Sequence, residues 1–219
     1  MFDYGVESAL VWSPLAVMKE ATEASLDRDA ELMLRFKAGD QDAFNALFDR
    51  HCAPLVNFAY RFVRSRELAE ELAQEVFLRV YDAASGYHAT ARFTTWLYRI
   101  ATNVCLNEMR RPRFRVAHES LDSRQTQDCD AVPFELPDKG RPAADVLIQR
   151  RAIADALQKA LQELPDKQRI AFVLNKYQEL SYSEVAEVMA VSEKAVKSLI
   201  HRAKEALAAT LQPLMKELL

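Results

Sequence analysis

Between Arg92 and Arg111 the chain interleaves aromatic rings, amides and guanidinium groups. Trp96, Ile100, Asn103, Asn107 and Arg110 recur at steps of three or four, which places them along one stripe of a helix. Phe93 comes just before, beside Arg92. Aromatic rings stack on the faces of unpaired bases, and amides read base edges. Stacking is worth about 1–3 kcal/mol per base, enough to hold a nucleotide out of a melted duplex. Arg99, Arg110, Arg111, Arg113 and Arg115 are spaced to hold a phosphate backbone. The competing reading makes Phe93 and Trp96 core residues. Asn103 and Asn107 on the same stripe count against it, because buried amides need partners.

A second constellation lies near the C-terminus. Ser181-Tyr182-Ser183-Glu184 has the form of a capping box, in which the serine accepts from a backbone N–H and the glutamate reaches back. Val185, Val188 and Met189 follow, Ala190-Val191 make a turn, and Ser192 is placed to cap the next helix. Two short helices across a tight turn form a helix-turn-helix. In the second helix Val196, Leu199, Ile200, Ala203 and Leu207 share one face, while Lys194, Lys197, Ser198, His201, Arg202 and Glu205 share the other. Lys and Arg on that second face meet phosphates or guanine edges, and Ser and Glu read other edges. A solvated amphipathic helix is the plainer alternative; the cap–turn–cap arrangement before it favours DNA.

A third set of residues offers a protein-binding face. On the helix expected after Ser65, Glu71, Gln74, Glu75 and Leu78 fall opposite the apolar residues Ala69, Leu72, Ala73, Val76 and Val80. Enzyme chemistry has no comparable support. The chain has no phosphate-cradling glycine loop, no GxSxG and no HExxH. His51, His88, His118 and His201 are scattered, and the neighbours His51 and Cys52 without further ligands point to structural roles rather than a metal site. Neither a cofactor nor a metal is expected.

These residues need helices to carry them. Helical spacing is expected over 29–38, ending at Gly39, with Asp40 capping the next helix. That helix repeats Phe44, Leu47, Phe48, Leu55, Phe58 and Phe62, and Pro54 should kink or interrupt it. Ser65 should cap a third helix running to about 84, with Gly86 after it, and a fourth should run from about 95 to 111 before Pro112. Residues 112–142 hold four of the eight prolines and no period, which reads as a flexible linker. Helical pattern resumes at Ala143, with Leu147, Ile153, Leu157 and Leu161 before Pro165 and Ile170, Val173, Leu174 and Tyr177 after it. No strand alternation occurs. The fold class is all-α: a mobile extension over 1–26, a helical domain over 27–111, a linker over 112–142 and a helix-turn-helix domain over 143–212.

Only four glycines occur in 219 residues and half of the residues are hydrophobic, which suits long helices and a sizeable core. No apolar run is long enough to span a membrane, and no signal peptide is expected. Three widely spaced cysteines argue against a disulfide framework and for a reducing cytoplasm. The net charge of -3 is unusual for a protein that binds DNA unaided. Its distribution is uneven: residues 92–115 carry six arginines against Glu108 alone, while 1–30 and 116–145 are each strongly acidic. DNA affinity is therefore local and suppressed in the free chain.

Three ordered segments carry a family resemblance. Residues 69–81, AEELAQEVFLRVY, resemble the core-polymerase-binding helix of the extracytoplasmic-function (ECF) branch of the sigma-70 family, which usually has Asp where this chain has Glu71. Residues 93–103, FTTWLYRIATN, and then Arg110-Arg111 resemble its segment that melts and reads the -10 element. Residues 164–169, LPDKQR, followed by 180–186 and 196–203, resemble its domain for the -35 element. Leu199 stands where many members carry arginine, which agrees with its place at the edge of the core face.

The resemblance implies a sigma factor that binds core RNA polymerase at its clamp and flap regions. It implies promoter DNA as a partner, read as duplex at -35 and as melted single strand at -10, with Asn103 lining the pocket for a flipped base. It further implies an anti-sigma factor that could hold an otherwise cytoplasmic protein, monomeric when free, at the membrane. Polymerase would tie two weak DNA contacts to one platform and raise their effective concentration. The alternative is a helix-turn-helix regulator acting on duplex DNA, which accounts for residues 143–210 but not for the aromatic–amide stripe.

Overall fold

The computed structural model describes residues 27–111 and 144–218; the expected extension and linker lie outside the described residues. Eight α-helices and one 3-10 turn make up the described chain, without a strand. The first, α1 (Arg28–Lys37), has Asp29 and Glu31 in its first turn and Arg35 and Lys37 in its last, which complements the helix dipole. Gly39 takes φ +103°, a conformation open to glycine, and turns the chain into the Asp40 cap. The Asp40 carboxylate accepts from the N–H groups of Asp42 and Ala43 at 3.1 and 3.2 Å and from Arg35 at 2.6 Å.

Of the two outcomes expected at Pro54, a kink or an interruption, the second does not occur: the next helix, α2 (Gln41–Val63), runs through it. Proline inside a helix costs about 3 kcal/mol. Against this, Leu47, His51, Leu55, Phe58 and Phe62 form a continuous buried stripe on both sides of it, and each large apolar side chain contributes about 1.5–3 kcal/mol on burial. Breaking the helix at Pro54 would split that stripe, so packing holds the helix together.

Ser65 caps α3 (Arg66–Ala83), accepting from the Leu68 N–H at 3.2 Å. Ala69, Leu72, Ala73, Val76 and Val80 are all buried, and so is Phe77. A 3-10 turn over Ala84–Gly86 leads to α4 (Phe93–Met109). This helix starts two residues before its expected position, and Arg92, at its N-cap, makes no side-chain capping bond. The burial of Phe93 anchors its first turn in place of a polar cap.

In the second half, α5 (Ala144–Glu163) and α6 (Asp166–Lys176) are joined through Pro165. Arg169 is buried there and binds Gln162 at 2.7 Å and Asp166 at 3.0 Å, so this arginine fastens a corner. The capping box forms as expected and starts α7 (Tyr182–Met189). Ala190 takes a left-handed conformation at its end, and Ser192 caps α8 (Glu193–Leu218), accepting from the Ala195 N–H at 3.2 Å. Val196, Ile200, Ala203 and Leu207 are buried and Leu199 is half-buried.

The two helical groups touch. Helix α7 packs on α4, and α5 packs on α2. One apolar cluster runs from Met33 and Phe58 through Leu97 to Val173, Val185 and Ile200. A smaller cluster of Ala160, Leu161, Leu164, Ala203 and Leu207 joins α5 to α8.

Candidate nucleic-acid interface

Helix α4 sorts its side chains in three ways. Leu97, Tyr98, Ala101, Val104 and Cys105 are buried and fix the helix on α2 and α3. Arg92, Arg99, Asn103, Asn107, Arg110 and Arg111 are exposed. Trp96 lies between these sets. It is half-buried and meets Tyr87 edge-on at 5.0 Å and Phe93 at 5.9 Å between ring centroids.

Phe93 departs from its expected role as a DNA contact. It is wholly buried against Tyr87, Trp96 and the His51 ring. A ring closed off from solvent offers no stacking face, so Phe93 supports Trp96 from behind. His51 is itself buried, with Nε2 2.8 Å from an Asp29 carboxylate oxygen; the Asp29 carboxylate also takes Arg50. Burial and the adjacent Arg50 charge push the imidazole below its ordinary range. The Asp27 charge pulls the other way but is outweighed. This pairing gives His51 a structural partner, unlike a free metal ligand.

On α8 the side chains of Lys194, Lys197, Ser198, His201 and Arg202 are all exposed along one side. Lys197 lies 3.2 Å from Glu193 and 5.8 Å from the centroid of the Tyr182 ring on α7. His201 stands 3.7 Å from Glu205. These are exposed pairs of small energy, and phosphates can displace them.

The face of α3 expected to bind protein is also open. Glu71, Gln74 and Leu78 are exposed, Leu78 at 66%, and Glu75 is half-buried with its carboxylate on Arg79 at 2.6 Å. The expectations had not included an aromatic strip beside it. Phe48 and Tyr81 are exposed, and Phe44 stands edge-on to Tyr81 at 5.4 Å and to Phe77 at 6.2 Å. The helical repeat of α2 contained Phe44 and Phe48 but could not show which side of the group they would face.

Sequence reasoning also missed the residues that link the two groups. Arg92 donates to the Glu184 carboxylate at 3.2 Å, and Arg99 donates to the Glu187 carbonyl at 2.9 Å. The Tyr98 hydroxyl donates to the Gln178 side chain. The Arg61 guanidinium lies 3.4 Å from the centroid of the Tyr177 ring. Burial raises the Glu184 pKa, but its bonds from Ser181 and Arg92 outweigh that and hold the carboxyl below its ordinary value.

Comparison with known proteins matches this arrangement of helices. The family model for sigma-70 region 2 matches residues 47–115, and that for sigma-70 region 4 matches residues 154–207. The RNA polymerase sigma-H factor of Pseudomonas aeruginosa is 34% identical over 199 residues, covering 87% of this chain and 97% of its own length. The chain belongs to the sigma-70 family, in its extracytoplasmic-function branch. The ECF sigma factor SigW of Bacillus subtilis is 31% identical, covering 81% of this chain and 94% of its own. The ECF sigma-E factor of Escherichia coli is 30% identical, covering 86% and 96%.

Among solved structures, CnrH in complex with the cytosolic domain of CnrY superposes on this ECF chain with a TM-score of 0.61. It has 24% identity, with 85% of this chain and 99% of the other covered. The sigma factor RpoE bound to the anti-sigma factor NepR from Bartonella quintana gives 0.54 at 22% identity, covering 77% and 96%. These two share the fold. The chain is thus an ECF sigma factor, a subunit of transcription initiation. Among its described residues no helix is long and apolar enough to cross a membrane.

Proposed function

We propose that this sigma factor docks on core RNA polymerase through α3, reads the -10 element as a melted single strand along α4, and reads the -35 element as duplex with α8. In this reading residues 27–111 and 143–212 are the two working domains. The observation that carries it is the sorting of α4. Its apolar face is locked in the core, while Arg92, Arg99, Asn103, Asn107, Arg110 and Arg111 are exposed around a braced, half-buried Trp96. A helix that merely covered a core would not need amides and arginines together on its open side. Such a side suits a strand whose bases are unpaired and whose phosphates need neutralising.

The exposed Leu78, flanked by Glu71, Gln74 and Glu75, forms an apolar centre with an acidic rim, the composition of a protein-docking face. The exposed side of α8 has the charge and the width to enter a major groove. An anti-sigma partner belongs to the same proposal, since CnrH and RpoE are each held in complex with another protein.

The test is reconstituted transcription with sigma-free core polymerase on a library of promoter fragments. Start-site-specific transcripts that require the protein are expected. Specific binding to duplex by the protein alone, without transcripts, would favour a free-standing regulator.

A further inference from the structure

His51 belongs to α2, far along the chain from α4, yet its ring centroid stands 5.4 Å from that of Phe93. Phe93 in turn meets Trp96 at 5.9 Å and Tyr87 at 6.3 Å, and Tyr87 meets Trp96 at 5.0 Å. Ring pairs at such separations prefer tilted or edge-on arrangements, and all four contacts are of those kinds. The row starts in the core, where His51 and Phe93 are buried, and ends at the half-buried Trp96. Its inner end is tethered. His51 Nε2 lies 2.8 Å from one Asp29 carboxylate oxygen, and Arg50 binds the other. Tyr87 and Phe93 lack such a tether: the Tyr87 hydroxyl has no hydrogen-bond partner among the described residues, and the Phe93 ring has no polar atom. Arg92 gives α4 no side-chain cap, so the first turn of that helix takes its place from Phe93.

We propose that His51 is a positioning residue for Trp96: its tethered ring sets Phe93, and Phe93 sets the tilt at which Trp96 is offered to an unpaired base. This rests on the reading of Trp96 as a stacking platform for the -10 strand. His51 is closed off from solvent and does not itself meet DNA. A binding group keeps a precise geometry only where the packing and hydrogen bonds behind it lock its rotamer. An indole without that support would have to be ordered by the strand, and ordering one side chain weakens binding about two- to tenfold. With His51 and Phe93 behind it, Trp96 is ordered before the strand arrives. A leucine at position 51 would fill the same space but would bring no bond to fix the direction of a ring.

The test uses holoenzyme reconstituted with the full chain, on a promoter selected from the fragment library. His51→Gln keeps a donor for Asp29 and removes the ring. His51→Phe keeps a ring and removes the bond. Phe93→Leu cuts the row one step further along and serves as a second, independent variant; circular dichroism checks that all three fold. His51→Gln and Phe93→Leu should each lower open-complex stability by about two- to tenfold, read by permanganate reactivity, with holoenzyme assembly unchanged. His51→Phe should recover part of the loss. Combined with Trp96→Ala, His51→Gln should cost nothing more, because no ring is left to position. In a Trp12→Phe background Trp96 is the one tryptophan, and acrylamide should quench its emission more in His51→Gln than in His51→Phe.

A loss that adds in full to that of Trp96→Ala overturns the positioning role and leaves His51 a core residue. Equal falls in assembly and in open complexes do the same, as do unchanged open complexes in His51→Gln or a His51→Phe variant as damaging as His51→Gln. Trp96→Ala alone judges the underlying reading. If that variant melts promoters normally, Trp96 is not the platform and the role of His51 falls with it. If Trp96→Ala loses open complexes and His51→Gln does not, the platform stands and only the positioning role is lost.

Discussion

The guanidinium of Arg61, near the end of α2, lies over the ring of Tyr177 at the end of α6, 3.4 Å from its centroid. Burial pushes the Arg61 pKa down and the Tyr177 hydroxyl up, yet the guanidinium keeps its charge at any ordinary pH. A desolvated cation–π contact of this kind is worth about 2 kcal/mol. A double-mutant cycle of Arg61→Ala and Tyr177→Ala, read by denaturant unfolding, should show a coupling of about 1–2 kcal/mol. Tyr177→Phe should keep most of it. Strict additivity would mean the two groups do not interact in solution.

Trp96→Ala and Asn103→Ala should each impair open-complex formation more than holoenzyme assembly. Removing one stacked base contact costs about 1–3 kcal/mol, or roughly 5- to 150-fold in open-complex stability. Permanganate footprinting reads the melted strand, and gel filtration with core polymerase reads assembly. Equal losses in both would remove the single-strand role.

Glu71→Lys and Leu78→Asp should weaken binding to core polymerase while leaving the fold intact, because both side chains are exposed. A central apolar anchor at an interface typically costs about 2 kcal/mol when lost, so Leu78→Asp should weaken assembly by at least about tenfold. Competition for core polymerase against unaltered protein measures this. Undiminished assembly would place the docking face elsewhere.

Lys197→Ala with Arg202→Ala should weaken duplex binding by the holoenzyme and lower its dependence on salt. Each lost phosphate contact reduces the logarithmic salt slope by about 0.9. Fluorescence anisotropy across a salt series gives the slope. If it is unchanged, that side of α8 does not meet the backbone.

His51 should make the fold sensitive to acid. Its imidazole is buried and depressed below its ordinary range, so the folded state resists the proton that the unfolded state accepts. The stability this gives is complete above the unfolded value of about pH 6.5 and is lost as pH falls from there through the folded value. His51→Gln keeps a donor for Asp29 and removes the titration. Thermal unfolding between about pH 7 and pH 5 should fall less steeply in that variant. Parallel curves would assign the acid sensitivity to other groups.

What could be read in the sequence was local. The Asp40, Ser65 and Ser192 caps and the Ser181–Glu184 box depend on residues within a few positions of one another, and each forms. The amphipathic division of α3 and α8 was legible for the same reason, since a helix repeats its faces. Pro54 does not interrupt α2 because its local cost is outweighed by burial on both flanks. Phe93 was misjudged because its neighbours Tyr87 and His51 come from other elements. The bonds from Arg92 and Arg99 to α7 span about ninety positions, and no spacing rule signals them. Similarly, Phe48 sits on the apolar repeat of α2 yet is exposed, because the period identifies a face without saying how wide a neighbour will cover it.

Three of the acceptors that join the halves are main-chain carbonyls: Tyr60 and Arg61 receive Gln158 and Gln162 at 3.4 and 2.7 Å, and Glu187 receives Arg99. Every residue type brings that same oxygen. Mutation can therefore replace the side chains at 60 and 187 without erasing the acceptors, so for these three bonds inheritance falls on the donors, Gln158, Gln162 and Arg99, while the side chain of Arg61 is also needed on the Tyr177 ring. Descendants of this chain are free to vary at positions 60 and 187 and keep these bonds, provided that the three donors and the Arg61–Tyr177 contact hold.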